Sequence, residues 1–205
     1  MKIYAISDYI LTPYNTIESQ LKEAILGGIS VFQFRDKLLK DDEILPLCEK
    51  LGRICLENNV DFIINDRINL ALTLQNRSIT CGLHLGKDDE MIDFKTLRKK
   101  INGTLGISCY GDINRAIYYE NLGADYVAFG SIFQSKTKAD SAVIGIDILH
   151  QAKTLLKKAK ICAIGGIDFS NIAMLKNADM IAMITAVWSG DIGTNLAQIK
   201  RAILA

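Results

Sequence analysis

A chain of 205 residues with 49% hydrophobic content suits a single globular domain, residues 1–205, large enough to bury a sizeable core. A formal net charge of +1 supplies no general attraction to nucleic acid or to a membrane surface, so neither is expected as a partner. Five cysteines, Cys48, Cys55, Cys81, Cys109 and Cys162, are odd in number and contain no CxxC pair, which signals neither a disulfide framework nor a zinc site.

The first apolar run, Lys2–Ser7, reads as a strand and follows Met1 directly. It lacks the long apolar stretch and small-residue cleavage site of a signal peptide, and no run of about 18 apolar residues occurs anywhere. The expected location is therefore the reducing cytoplasm. Ile17, Leu21, Ala24 and Ile25 then follow helical spacing, and Gly27-Gly28 stops that helix. A second strand covers Val31–Arg35. Asp41 or Asp42 is expected to cap the next helix, whose apolar face is Ile44, Leu47, Cys48, Leu51, Ile54 and Cys55; Pro46 falls near its first turn, where a missing N–H does little harm.

Strands follow at Phe62–Asn65, Gly82–Leu85 and Thr104–Ser108. Leu122-Gly123 closes a helix before a sixth strand, Tyr126–Phe129. The polar, irregular stretch Gly130–Gly145 comes next, and a loop that long in a compact domain usually serves function. Strands Ile161–Ile164 and Met180–Ile184 complete the set, and Asn195 opens a last helix with Leu196, Ile199 and Ile203 inward. The strands are short and apolar at consecutive positions, as in parallel sheets buried on both faces. Eight strands, each followed by a helix, point to an α/β fold of the closed (β/α)8, or TIM-barrel, kind. A doubly wound open sheet is the alternative, weakened because no GxGxxG follows the first strand.

In such a barrel the active site lies at the C-terminal strand ends. These ends are polar, charged or glycine-rich: Gln33-Phe34-Arg35-Asp36-Lys37, Asn65-Asp66, Gly86-Lys87-Asp88-Asp89, Ser108, Ser135-Lys136-Thr137-Lys138, Gly165-Gly166 and Ile184-Thr185. Arg35 and Lys37, two apart, share a face if the strand continues, and could grip a diphosphate or form a solvated, ion-paired turn. Asp66 and Asp89, from adjacent strand ends, suit a Mg²⁺ shared with a phosphate, or else cap helices, and Asp88 competes for the metal role. Gly165-Gly166 and the turn Ile184-Thr185-Ala186 offer backbone N–H groups to a phosphate, or simply make tight turns. Two anion sites result, one with a metal and one without. His84, between Leu83 and Leu85, reads as a core histidine rather than a catalytic one, and His150 as a surface residue. No Ser-His-Asp or Cys-His arrangement is evident, which disfavours hydrolysis through a covalent intermediate.

These strand-end motifs resemble the thiamine phosphate synthase family over almost the whole chain. The most specific pieces are Gln33-Phe34-Arg35-Asp36-Lys37, Asn65-Asp66 and Gly82-Leu83-His84-Leu85-Gly86. Asp125-Tyr126-Val127, followed by Gly130-Ser131-Ile132-Phe133 and Thr137-Lys138, is nearly as specific. The resemblance implies a transferase that joins an aminopyrimidine diphosphate to a thiazole phosphate and releases pyrophosphate. It implies that Gln33, Arg35, Lys37, Asn65, Ser108 and Lys138 bind the pyrimidine diphosphate, with Lys138, Arg35 and Lys37 stabilising the leaving group. Asp66 and Asp89 would hold Mg²⁺, while Ser135, Lys136, Thr137, Gly166, Ile184 and Thr185 would bind the thiazole phosphate. Ser135 stands where the family usually has Thr, and Lys87-Asp88-Asp89 where it has Gln-Glu-Asp. The implied partners are phosphorylated small molecules, with self-association left open. A thiazole tautomerase on the same barrel and a non-catalytic phosphate-binding barrel are the alternatives; the former needs no diphosphate grip.

Overall fold

The computed structural model describes residues 1–86, 93–134 and 142–205. Among these, strands and helices alternate as β1 (Lys2–Ile6), α1 (Ile17–Leu26), β2 (Val31–Phe34), α2 (Asp41–Glu57), β3 (Asp61–Asn65), α3 (Ile68–Asn76) and β4 (Gly82–Leu85). Next come α4 (Phe94–Lys100), β5 (Leu105–Tyr110), α5 (Ile113–Asn121), β6 (Tyr126–Phe129), α6 (Asp147–Leu155), β7 (Lys160–Ile164), β8 (Met180–Met183), α7 (Thr185–Trp188) and α8 (Ile192–Leu204). The eight strands close into a parallel barrel in chain order, β8 pairing back onto β1 with Lys2 opposite Met180.

The two-residue period of a strand divides its side chains between two cores. Outward residues such as Ile3, Ala5, Phe32, Phe62 and Ile64 join Leu21, Leu51, Leu70 and Trp188 in an apolar shell beneath the helices. Inward residues Tyr4, Ile6, Val31, Ile63, Tyr126, Ala128, Cys162, Met180 and Ala182 form a smaller cluster inside the barrel. The Tyr126 ring fits because Gly106 faces it: a Cβ there would lie 2.0 Å from the ring. All five cysteines are buried free thiols. Burial pushes Cys55, Cys81 and Cys109 up to about 12, so they behave as small hydrophobes.

Several boundaries differ from expectation. β2 stops at Phe34, leaving Arg35 and Lys37 on the loop beyond it rather than on a continuing strand. β5 extends to Tyr110, with its register against β6 shifting between Ser108 and Tyr110. Neither Asp41 nor Asp42 caps α2. Lys40 is the cap residue, and the Glu43 carboxylate accepts its N–H at 2.9 Å. Pro46 is the sixth helical residue, deeper than the first turn; the fully buried face of Ile44, Cys48, Leu51 and Cys55 carries the helix past it. The last helix starts at Ile192 under an Asp191 cap, three residues before Asn195, whose amide donates instead to Val187 and Ser189 carbonyls.

β7 departs from the strand-then-helix rule. Only a 3₁₀ turn, Ile172–Met174, follows it. The side chains there bond local backbone: Asp168 Oδ1 accepts from Ser170 N–H, and Asn171 Oδ1 accepts from Asp168 N–H.

Candidate active site

The inward alternation that builds the interior carries Gln33, Asn65, His84 and Ser108 to the C-terminal side of the barrel. Four of the groups beneath the mouth form one hydrogen-bonded string with Ser108. Gln33 Nε2 donates to the Tyr4 hydroxyl at 2.6 Å, and the Tyr4 and Tyr126 hydroxyls are 2.8 Å apart. Tyr126 meets His84 Nδ1 at 2.7 Å, and His84 Nε2 meets Ser108 Oγ at 2.9 Å. The Tyr126 and His84 rings also stack, with centroids 5.5 Å apart. Burial holds His84 down at about 4, so the ring is neutral at physiological pH, and burial raises both tyrosine hydroxyls well above their ordinary range. This is a satisfied core histidine, as its strand position suggests. His150 is exposed on α6 and pairs with Asn177.

Charge gathers on the loops after β2 and β3. Ser7 Oγ accepts the Arg35 N–H at 2.8 Å and ties the ends of β1 and β2 together. The Arg35 side chain is half-buried, and its guanidinium has no hydrogen-bond or ion-pair partner among the described residues. Asp36, next to it, is buried. Tyr14 donates to its Oδ2, Leu38 and Leu39 N–H groups donate to Oδ1, and Arg67 pairs with Oδ1 at 3.2 Å. Burial alone would raise this carboxyl, but those hydrogen bonds and the Arg67 guanidinium outweigh it and hold it below the usual range. Arg67 also donates to the Asp36 and Leu39 carbonyls and to Asp41 Oδ1, so one side chain folds the loop that presents Arg35 and Lys37.

Asp66 takes a left-handed backbone with φ 61°, and its N–H bonds the His84 carbonyl at 2.8 Å across to β4. Asn65 Nδ2 donates to Asp66 Oδ2 at 2.6 Å, and Lys37 Nζ lies 3.9 Å from the same oxygen. The cap position of α3 belongs to Arg67, not Asp66. Lys37 and Asp66 therefore share one corner of the mouth. Gly86 borders that corner: a Cβ there would stand 3.6 Å from Asp66 Oδ1.

The opposite side is built from backbone. Gly165 and Gly166 have φ of 101° and 62°, conformations that favour glycine. A Cβ on Gly166 would lie 2.3 Å from the Gln134 carbonyl oxygen, so the chain leaving β6 packs directly against the chain leaving β7. That contact continues as Ile132 N–H to Ile164 O and Phe133 N–H to Gly165 O. Asn171 Nδ2 fastens the Gly166 carbonyl at 2.8 Å. Ile184 is the cap residue of α7 and Thr185 its exposed first residue. The tight-turn reading of Gly165-Gly166 holds.

Asp89, with its neighbours Lys87 and Asp88, and Ser135, Lys136, Thr137 and Lys138 lie outside the described residues. Sequence reasoning missed Tyr4, Tyr126, Tyr14 and Arg67. Tyr4 and Tyr126 sit in apolar strands where only their hydroxyls hint at a polar interior. Arg67, directly after Asp66, gives a sign only in hindsight: a cation beside the buried Asp36 loop.

A closed parallel barrel with charged side chains and glycine turns at its C-terminal strand ends places the chain in the (β/α)8-barrel class. Solved structures under that fold include a 3-hexulose-6-phosphate synthase from Salmonella typhimurium, similar at TM-score 0.69 over all of this chain and 99% of that one, with 15% identity. At that identity the likeness concerns the fold alone.

The particular family is settled by stronger matches. The thiamine monophosphate synthase family profile covers residues 3–187. A thiamine-phosphate synthase from Wolinella succinogenes is 43% identical over 97% of this chain and 89% of its own. One from Thermoplasma acidophilum is 36% identical over 82% and 77%. The structure of a thiamine phosphate pyrophosphorylase from Pyrococcus furiosus superimposes at TM-score 0.84, with 27% identity over 99% of this chain and 95% of that one. The chain belongs to the thiamine monophosphate synthase family, and with it to the transferases of thiamine biosynthesis. No helix among the described residues is long and apolar enough to cross a membrane.

Proposed function

We propose that the chain condenses 4-amino-2-methyl-5-(diphosphooxymethyl)pyrimidine with a (carboxy)methylthiazole-ethyl phosphate, giving thiamine phosphate and pyrophosphate, together with CO₂ when the thiazole carries the carboxylate. The observation that carries this reading is the division of one mouth into two differently built halves. One is built from the cations Arg35 and Lys37 beside Asp66, the other from the left-handed glycines Gly165 and Gly166. Two differently constructed anion sites facing one another suit two phosphorylated substrates. A tautomerase needs only one.

In this scheme Gln33, Arg35, Lys37, Asn65, Ser108 and Lys138 receive the pyrimidine diphosphate. Gly166, Ile184 and Thr185, with Ser135, Lys136 and Thr137, receive the thiazole phosphate. The acidic set fits a hard cation. Asp66 presents a carboxylate on a strained turn beside Gly86, and Mg²⁺ needs only one or two carboxylates when substrate phosphates complete its shell. Asp66 and Asp89 would hold it, and when bound it neutralises diphosphate charge. The protein's own task is positioning and electrostatic stabilisation. Arg35, whose guanidinium has no partner among the described residues, and Lys37 grip the diphosphate as its C–O bond breaks and the bonding electrons leave with pyrophosphate. The thiazole nitrogen then forms the new bond to the pyrimidine methylene carbon. No strong general base is required, and the buried, neutral His84 is not placed to be one.

The test is product formation from both substrates, with and without Mg²⁺. Thiamine phosphate and pyrophosphate in equal amounts, only when both substrates and the metal are present, are expected. Isomerisation of the thiazole carboxylate without the pyrimidine, and no condensation with it, would overturn the proposal in favour of the tautomerase.

A further inference from the structure

The string beneath the mouth has a direction that follows from counting protons. Gln33 Nε2 can only donate, so the Tyr4 oxygen accepts from it and the Tyr4 proton must go to the other partner, Tyr126. The Tyr126 oxygen is then an acceptor from Tyr4, and its own proton goes to His84 Nδ1. A neutral imidazole that accepts at Nδ1 carries its hydrogen on Nε2, which faces Ser108 Oγ at 2.9 Å. Ser108 accepts that hydrogen, and its hydroxyl proton is left for the mouth.

We propose that Gln33, Tyr4, Tyr126 and His84 act together as a one-way hydrogen-bond relay that fixes Ser108 as a donor toward an anionic phosphate oxygen at the end of β5. Tyr4, Tyr126 and His84 are then positioning residues: they touch no substrate and act through Ser108. The relay joins β2, β1, β6, β4 and β5, so the polarity of a group at the mouth is set from across the barrel. Burial shields the inner links. Tyr4 and Tyr126 are 1% exposed and Gln33 2%, so water has little access to the links from Gln33 to Tyr126. Run in reverse, with the Gln33 carbonyl toward Tyr4, the string would place a hydrogen on Nδ1 and turn the Ser108 proton onto Nε2. Ser108 would then show only lone pairs to the mouth and repel phosphate oxygens. The Ser108 carbonyl is separately held by Arg115 Nε at 2.9 Å, which fixes the backbone while the relay fixes the hydroxyl. The ligand half of this proposal rests on the diphosphate assignment above, whereas the relay itself does not.

The chain has only two histidines, so His150→Asn leaves His84 as the sole imidazole. Nitrogen-15 NMR of that protein, without ligand, reads the tautomer directly. A protonated Nε2 and a bare Nδ1 are expected at pH 7; a protonated Nδ1 overturns the relay, whether or not the enzyme makes product. The second measurement is calorimetry with Mg²⁺-pyrophosphate. Ser108→Ala should weaken binding about tenfold and Tyr126→Phe about fivefold, as for loss or misorientation of one charge-assisted hydrogen bond. The double variant should bind no worse than Ser108→Ala alone, because Tyr126 acts only through Ser108. Additive losses, or a Ser108→Ala protein that binds as the wild type does, overturn the donor role. The tautomer measurement needs no relay variant, so it decides the direction even if Tyr126→Phe fails to fold. Failure of the condensation assay with the expected tautomer would instead count against the diphosphate assignment.

Discussion

On the proposed two-substrate reading, the two halves of the barrel mouth use different materials. Beside β2 to β5 the work is done by side chains: Arg35, Lys37, Asp66 and Ser108, each held by a partner or by the backbone it hangs from. Beside β6 to β8 it is done by main chain, with Gly165 and Gly166 in left-handed conformations and the chain leaving β6 pressed against them. Side chains can be tuned singly and can hold a metal. Main-chain turns offer fixed dipoles with no room for variation. The side-chain half should therefore fail in pieces under mutation, and the main-chain half as a unit.

The largest effect is expected at the root of the side-chain half. Arg67→Ala leaves the Asp36 carboxylate, 2% exposed, without its cation and releases the Leu39 carbonyl. Stability should fall by about 3 kcal/mol, the scale of breaking a buried pair by removing one partner. Urea unfolding measures it, and a loss under 1 kcal/mol would mean that Tyr14 and the loop N–H groups suffice. Acid should strike the same half. His84 titrates at about 4 when folded, against an ordinary 6.5, so its contribution is complete above pH 6.5 and is lost as the pH falls toward 4. Between pH 7 and 4.5 this amounts to about 2–3 kcal/mol, at about 1.4 kcal/mol per unit of pKa. A His84→Asn protein should show a flatter profile over that range; identical slopes would assign the acid sensitivity elsewhere.

Asp66→Ala should lower turnover by about 100-fold, as for loss of one preorganised electrostatic group, with little change in melting temperature. Near wild-type turnover at limiting Mg²⁺ would remove Asp66 from the metal set. The smallest effects make the sharpest comparison. Gly166→Val meets the Gln134 carbonyl and a positive φ, so it should destabilise by about 2 kcal/mol and weaken thiazole-phosphate binding, while Mg²⁺-pyrophosphate still binds. Lys37→Ala should do the reverse, losing about tenfold in pyrophosphate affinity without loss of fold or of thiazole-phosphate binding. Calorimetry with both ligands on both proteins decides: crossed losses confirm two halves, and parallel losses merge them into one site.

Much of this molecule is local, and local features can be read from a chain of residues. Consecutive apolar positions at Phe62–Asn65 or Tyr126–Phe129 mark strands buried on both faces, and the glycines after β7 mark left-handed turns, whatever surrounds them. Strand number and the placing of Gln33 and Asn65 near strand ends follow from that pattern, as does His84 in the core, while Ser108 lies two residues inside β5. Helix caps were less legible. Lys40 caps α2 in place of Asp41, which pairs with Arg67, and Asp191, a residue that propensity favours as a cap, takes that position in α8, which starts three residues before Asn195.

What only the tertiary structure decided are the pairings across the barrel. Tyr4 and Tyr126 are 122 residues apart, and nothing near either one calls for the other. They meet because closure of eight strands lets inward side chains of β1 and β6 reach each other across the interior, and because Gly106 leaves a space that the Tyr126 ring fills. Arg67 likewise finds Asp36 only when the loops after β2 and β3 lie side by side. Sequence periodicity determines which side of a strand a residue occupies. Which residue it will face depends on the shape of the closed barrel, and a buried hydroxyl or carboxylate takes whatever partner that shape supplies.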